Sequence, residues 1–250
     1  MECSLEQKVL LILRAARILL ENGAETWRVE NTMDWMGKNL DVDVQGFVTP
    51  TGIFVTAEDF VSRSSVTRVR RVIHRGFELA KIAAVNDFSR NYDFQSSTWH
   101  AAMDYLQEID TRNTAYPWWL VMVAAGLSSA CFAILFGGNT YDIFPSLVAG
   151  VAAQYVLHIF ALRRMFKFSA SFFGGLTVAV IAILFARLIP ETHVSKIIIA
   201  AIMPLVPGVA ITSAARDLVS DNLLSGIARA GEALVIAAAI AAGAAVAFFV

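Results

Sequence analysis

The residues best placed to do chemistry lie in one late stretch of the chain. Met203-Pro204-Leu205-Val206-Pro207-Gly208 sets two prolines and a glycine inside an apolar run. Proline removes a backbone donor and clashes with the preceding turn, so a helix through this run is broken, and lipid cannot replace the lost hydrogen bonds. Such a break is tolerable only against protein or a watery cavity, where free backbone groups meet a solute near the membrane midplane. The plainer alternative is a packing kink with no ligand. Just beyond it come Thr212, Ser213, Arg216 and Asp217, then Asn222, Gly226, Arg229 and Glu232. At helical spacing Thr212 or Ser213 shares a face with Arg216, and Arg229 and Glu232 are three apart, so two helix ends could border a polar vestibule. Guanidinium groups bind carboxylates through charge-assisted hydrogen bonds, and carboxylates at membrane depth are candidates to take up protons. Pro207, Gly208, Thr212, Ser213, Arg216 and Arg229 are therefore candidate substrate contacts, and Asp217 and Glu232 candidate proton-coupling groups. The structural alternative is that these charges pair with one another or snorkel to the interface.

Enzymatic chemistry finds little support. His100 and Asp104 are four apart on an expected helix, but no nucleophile or metal-ligand cluster accompanies them, and His74, His158 and His193 are scattered. Asp142 follows a tyrosine at the start of an apolar run without the second aspartate that an intramembrane aspartyl protease needs. No phosphate-cradling Gly-Lys-Ser/Thr motif occurs, so ATP is not the expected energy source, and no cofactor is called for. The two cysteines, Cys3 and Cys131, fit neither a disulfide framework nor a metal site.

The elements that must position these residues fall into two solvents. The chain has 250 residues, 57% hydrophobic and 16% charged, with a mean hydropathy of +0.60, too apolar for an ordinary soluble domain. Of its 41 Lys, Arg, Asp and Glu residues, 29 precede Tyr116 and 12 follow it. The expected organisation is a cytoplasmic α+β domain over residues 1–115 and a transmembrane α-helical bundle over 116–250. The net charge of −1 argues against nucleic acid as a partner, and Arg68, Arg70, Arg71 and Arg75 read as a solvated face. Glu2, Glu6, Arg14 and Arg17 flank or interrupt the apolar run Val9 to Leu20, so no signal peptide is expected and the N-terminus stays cytoplasmic.

Within the first domain, Leu5, Val9, Ile12, Leu13, Ala16 and Leu20 recur at helical spacing, Gly23 offers a stop, and a second helix runs from about Glu25 to Asn39 with Trp27, Thr32 or Met33, and Met36 inward. Short β-branched stretches around Val42 to Phe47, Ile53 to Val55 and Val66 to Val72, broken at Thr49-Pro50-Thr51-Gly52 and Ser62 to Ser65, predict a small antiparallel sheet. Helical spacing returns over about Phe77–Asn91 and Thr98–Ile109.

After Pro117 the apolar runs reach the roughly 20 residues that cross a hydrocarbon core of about 30 Å. Five spans are expected: 118–136, 141–162, 168–188, 196–215 and 226–250. Trp118 and Trp119 sit where interfacial aromatics belong, and the short link Gly137–Thr140 makes the first two spans a tight hairpin. Arg163, Arg164, Lys167, Arg216 and Arg229 on one side outnumber Arg187 and Lys196 on the other, which places the N-terminus inside and the C-terminus outside. The small residues of Ala237 to Ala247, with Gly126, Gly174 and Gly175, read as helix–helix interfaces within the bundle or with a partner. Five short-looped helices are few to enclose a path alone, which favours oligomerisation or a second membrane protein.

These residues carry a resemblance. Leu20-Glu21-Asn22-Gly23-Ala24-Glu25-Thr26 with Arg28 and Glu30, Thr49-Pro50-Thr51-Gly52, Tyr116-Pro117 with Trp119-Leu120, Gly126-Leu127-Ser128-Ser129-Ala130-Cys131-Phe132, Leu205-Val206-Pro207-Gly208, Arg216-Asp217 and Gly226-Ile227-Ala228-Arg229 together resemble the threonine/serine exporter family and its two-component branch, which includes the succinate exporter of enteric bacteria. The resemblance spans nearly the whole chain. It implies export of small carboxylate metabolites, driven by an ion gradient, from the bacterial inner membrane. Because the chain stops at Val250, it further implies the larger subunit of a split transporter needing a small integral membrane partner. Gly23, Glu25, Arg28 and Glu30 become candidate gate or sensor residues, against the ordinary reading of a helix-to-helix turn with a charged cap. The competing class is a membrane-anchored sensor or regulator that binds a ligand or partner through its cytoplasmic domain; an anchor has no use for the break at Pro204, Pro207 and Gly208.

Overall fold

The computed structural model of the chain describes residues 3–59, 63–73, 76–113, 116–163 and 165–249. His74, Arg75, Arg164, Val250 and part of the expected turn around Ser62 lie outside the described residues. The chain divides into two compact units, Met1–Ala115 with Thr212–Arg229, and Tyr116–Ile211 with Ala230–Val250. Each is described on its own.

In the first unit α1 (Leu5–Glu21) opens on a capping box in which Ser4 and Gln7 satisfy each other's backbone amides. Its apolar stripe, including Val9, Ile12, Ala16, Leu19 and Leu20, is fully buried. After a tight turn comes α2 (Thr26–Asn39), which buries Thr32, Met33 and Met36 as its spacing requires, with Trp27 half-buried. Strands β1 (Asp43–Thr49), β2 (Gly52–Asp59) and β3 (Ser64–Arg71) form an antiparallel meander in the order β1-β2-β3. Alternation on β2 sends Ile53, Val55 and Ala57 into the core, while β3 exposes Arg68, Arg70 and Arg71. Helices α3 (Leu79–Asn91) and α4 (Trp99–Thr111) add Val85, Phe88, Ala102 and Leu106 to the same core. Arg17 on α1 pairs with Asp110 on α4.

In the second unit α5 (Trp118–Leu135), α6 (Thr140–Leu162) and α7 (Lys167–Leu188) are long and apolar enough to cross a membrane. So is the last helix, α10 (Leu223–Val246), which belongs to this unit from Ala230 onward. Between them, α8 (Val194–Ile202) runs into a 3-10 turn at Met203–Leu205, and α9 (Gly208–Val219) follows after a bend of 57°. The described residues thus hold four membrane-length helices, or five if the bent pair counts as one span. The core of this unit is built from small side chains, among them Ala149, Ala153, Val178 and Ala201. A Cβ on Gly175 would overlap the Ile240 carbonyl and one on Gly243 the Phe172 carbonyl, so α7 and α10 meet backbone to backbone. This is the use of the small residues in the last helix.

Candidate functional site

The site is built on two turns of the first unit that are far apart in sequence. The first joins α1 to α2. Gly23 adopts a φ of +92°, and a Cβ there would sit 2.8 Å from the Phe77 ring and 3.0 Å from the Gly76 carbonyl, so only glycine fits. Ala24 then returns its amide to the Leu19 carbonyl at 3.0 Å, and Glu25 stands at the N-cap of α2 with an extended backbone. The Glu25 side chain does not cap its own helix. It accepts from Arg28 at 2.9 Å and from Arg216 at 2.8 Å instead.

The cap comes from the second turn, between α9 and α10. Oδ1 of the fully buried Asp217 accepts both the Thr26 amide and the Thr26 hydroxyl, each at 3.1 Å. A carboxylate is thereby placed on the first turn of α2, where free amides and the positive end of the helix dipole favour a negative charge. Arg229, 8% exposed, donates from Nη2 to the Ala24 carbonyl at 2.7 Å. Its Nε stands 3.1 Å from Asp217 Oδ2 without the alignment of a hydrogen bond, so this contact is Coulombic. Gly226 lets the turn close: a Cβ there would meet Leu218 Cγ at 2.5 Å. Glu30 accepts from the Val48 amide at 2.9 Å and from Asn222 at 3.4 Å, and Ser225 donates to the Val48 carbonyl at 3.4 Å.

The charges are balanced within this cluster. Burial alone would raise the Glu25 pKa, but the Arg28 and Arg216 hydrogen bonds overcome it and hold the carboxyl at about 2. Glu30 goes the other way, since burial raises its pKa more than the Val48 and Asn222 hydrogen bonds lower it. Arg216 differs from its neighbours in being 66% exposed at its side chain while its partner Glu25 is 9% exposed. It borders a cavity of about 260 Å³ lined by Trp27, Ala215, Arg216, Val219 and Ser220.

The structure therefore joins two groups that the sequence left separate: Gly23, Glu25, Arg28 and Glu30 of the candidate gate, and Arg216, Asp217 and Arg229 of the candidate substrate and proton set. Ser213 is buried on α9, where Thr212 precedes it. Pro207 belongs to the other unit, as do Gly208 and Glu232. The amides of Val206 and Gly208, expected to be free at the break, are donated to the Met203 carbonyl at 3.2 Å and the Val206 carbonyl at 2.8 Å. The 3-10 turn and a tight reverse bend satisfy them locally. Glu232, expected beside Arg229, pairs with Lys167 at 3.4 Å.

Thr26, through which Asp217 reaches α2, was not singled out by sequence, nor was a pairing of Asp142. That residue is fully buried at the start of α6, accepts from the His193 amide at 2.6 Å, contacts His193 Nδ1 at 3.0 Å and completes a capping box with Asn139. The spacing Asn139-x-x-Asp142 was the available signal. Among the described residues no group of three His, Cys, Asp or Glu side chains is arranged to hold a metal.

Four or five helices of membrane length, one of them broken, and an α+β unit with mutually paired charged residues define the class as a multi-helix membrane protein. The chain belongs to the ThrE family, described as "Putative threonine/serine exporter", whose model matches residues 10–250. It is similar to the "Probable succinate transporter subunit YjjP" of Klebsiella aerogenes, 25% identical over 226 residues, covering 88% of this chain and 84% of the relative. The protein of the same name in Escherichia coli is 24% identical over 229 residues, covering 88% and 85%. The "Probable threonine/serine exporter" of Mycobacterium tuberculosis is 24% identical over 240 residues, which is 95% of this chain but 45% of that protein. No solved structure matches the chain. Membership of this family makes the chain a multi-pass membrane transporter protein and not an enzyme.

Proposed function

We propose that this chain is one subunit of a secondary transporter that exports small carboxylate metabolites, either threonine- and serine-type amino acids or succinate-type dicarboxylates. In this reading it lies in a bacterial inner membrane with residues 1–115 and the N-terminus in the cytoplasm and the C-terminus outside. A small integral membrane subunit of the same family completes the path, and an ion gradient drives export. Support for a subunit comes from the relatives in Klebsiella aerogenes and Escherichia coli, which are named transporter subunits.

The observation that carries the proposal is the Arg216–Glu25 pair. An exposed guanidinium held by a buried carboxylate, beside a cavity of small-solute size, is poised for exchange. A substrate carboxylate arriving from the cytoplasm replaces Glu25 on Arg216, while Glu25 keeps Arg28, so no charge is left uncompensated. Arg229 is the second substrate-side cation. A proton taken up by Asp217 removes the negative partner of Arg229 and frees it for substrate, and Glu232 is the second candidate coupling group. Thr212, Ser213, Pro207 and Gly208 remain in the proposed substrate set as the residues at and just after the break.

Arg216→Ala tests this role. Because the Arg216 end of the pair is solvent-screened and Glu25 keeps Arg28, the loss is about 1 kcal/mol, so the thermal midpoint should move by no more than about 4 °C while export is lost. Normal export by the variant would overturn the assignment. The subunit reading is tested by efflux of labelled threonine, serine and succinate from cells lacking their own exporters, with the chain alone and with its small partner. Efflux only with the partner is expected; none in either case, with both proteins in the membrane, would overturn it.

A further inference from the structure

The second unit contains a cavity of about 560 Å³ that the cluster around Arg216 does not use, and Gln154 and His158 of α6, Ser171 of α7 and Pro207 at the helix break all line it. We propose that this cavity is a binding chamber for a small solute bearing a carboxylate and further hydrogen-bonding groups, with Gln154, His158 and Ser171 as its specificity-determining contacts. The inference rests on the exporter reading and adds to it the place where the solute is held within the bundle.

The first argument is polar satisfaction. Among the described residues, the Gln154, His158 and Ser171 side chains make no hydrogen bond to protein, none of their polar atoms is fully buried without a partner, and all three residues line the cavity. Helices α6 and α7 are membrane-length and apolar, where an unpaired amide, imidazole or hydroxyl is costly unless water or a solute completes it. Three such groups on two helices converge on one space, which scattered packing defects would not produce.

The second argument is position. His158 stacks on Trp118 of α5, with ring centroids 5.4 Å apart and planes 14° from parallel, so the imidazole is held in place before any solute arrives. Leu205 and Pro207 bring the cavity against the broken helix, the segment of the bundle whose backbone is least regular. Its volume lies in the range of small-molecule sites. Lys167 also lines it, and the Lys167 ammonium, 67% exposed and 3.4 Å from Glu232, can exchange that carboxylate for one on a solute.

The test uses the full chain expressed with its small membrane partner. Gln154→Leu and His158→Phe each remove one hydrogen bond to the solute and should raise the efflux KM by about two- to tenfold, with the maximal rate within about twofold of wild type. In a Cys3→Ala, Cys131→Ala background, Ser171→Cys should react with a small cationic methanethiosulfonate, and the exported solute among threonine, serine and succinate should slow that reaction at least about threefold. Unchanged KM in both variants, a thiol that does not react, or one that reacts equally with and without solute would overturn the chamber while leaving the exporter reading in place. If the wild-type pair exports none of the three solutes, the exporter reading fails and the chamber falls with it.

Discussion

Replacing Arg229 by methionine should be the most damaging single change in the charged cluster. It leaves the fully buried Asp217 carboxylate with two Thr26 donors and no counter-charge. Breaking a buried ion pair from one side costs about 3–5 kcal/mol. Because Nε and Oδ2 are 3.1 Å apart but not aligned as a hydrogen bond, the lower end, about 3 kcal/mol, is expected here. For a chain of this size that is a fall of roughly 6–12 °C in thermal midpoint. Asp217→Asn should cost less, about 1–3 kcal/mol, because an amide oxygen still accepts from Thr26 and Arg229 keeps the Ala24 carbonyl. The double variant removes both charges and should be no worse than Arg229→Met, giving a coupling of at least about 1 kcal/mol. The assay is tryptophan fluorescence on heating the purified chain in one detergent at one scan rate, since unfolding of such proteins is often irreversible. Losses that add to within about 0.5 kcal/mol would show that the two charges do not support each other, and would refute the reasoning.

The folded pKa of Glu25, about 2, lies below its ordinary value of 4.5, so its contribution is full above about pH 4.5 and is lost as pH falls through about 2. Melting curves of wild type and Glu25→Gln should therefore differ most above pH 4.5 and converge towards pH 2, by no more than about 2 kcal/mol because the Arg216 side of the pair is solvent-screened. Glu30 has the opposite sign: its raised pKa means that the ionised form costs stability, a cost removed as pH falls through that value, so Glu30→Gln should be neutral or stabilising in a pH 7 melt. Gly243→Leu should abolish folding, read as loss of a monodisperse peak in detergent, because α7 and α10 have no room for a side chain there. Gly231→Ala meets nothing within 4 Å and should raise stability by up to about 1 kcal/mol. Asp142→Ala should cost about 1–3 kcal/mol in the same melt by orphaning the His193 and Asn139 amides.

Much of the fold could be read from period alone. The stripe from Val9 to Leu20, the alternation around Ile53 and the long apolar runs after Pro117 each report a local burial pattern, and the structure has a helix, a strand and membrane-length helices at those places. The segment Thr212–Arg229 was harder. Hydropathy assigned its two ends, residues 212–215 and 226–229, to spans, whereas the whole segment groups with the N-terminal unit. Buried polar residues, Ser213, Asp217, Ser225 and Arg229, mark it as packed against protein rather than lipid, but a window average dilutes four residues among their apolar neighbours. Every ionic member of the site is named from sequence, but not which of them pair. Pairing Glu25 with Arg216 or Thr26 with Asp217 was not legible, because nothing local links positions 191 residues apart. The Asp142 capping box is legible in the spacing Asn139-x-x-Asp142, whereas its contact with His193, 51 positions away, is not.

The length of chain between the two turns of the site has a consequence for biosynthesis. Thr26 and Asp217 are separated by 191 positions, Ala24 and Arg229 by 205. At about 5–20 residues per second, helix α2 leaves the ribosome roughly 10–40 s before the carboxylate that caps it has been made. Throughout that interval the first amides of α2 must be satisfied by water or by a chaperone, and Glu25 has Arg28 alone. A nascent chain released before residue 217 keeps that uncapped helix end permanently, so the same contact that completes the site also distinguishes a finished polypeptide from an unfinished one.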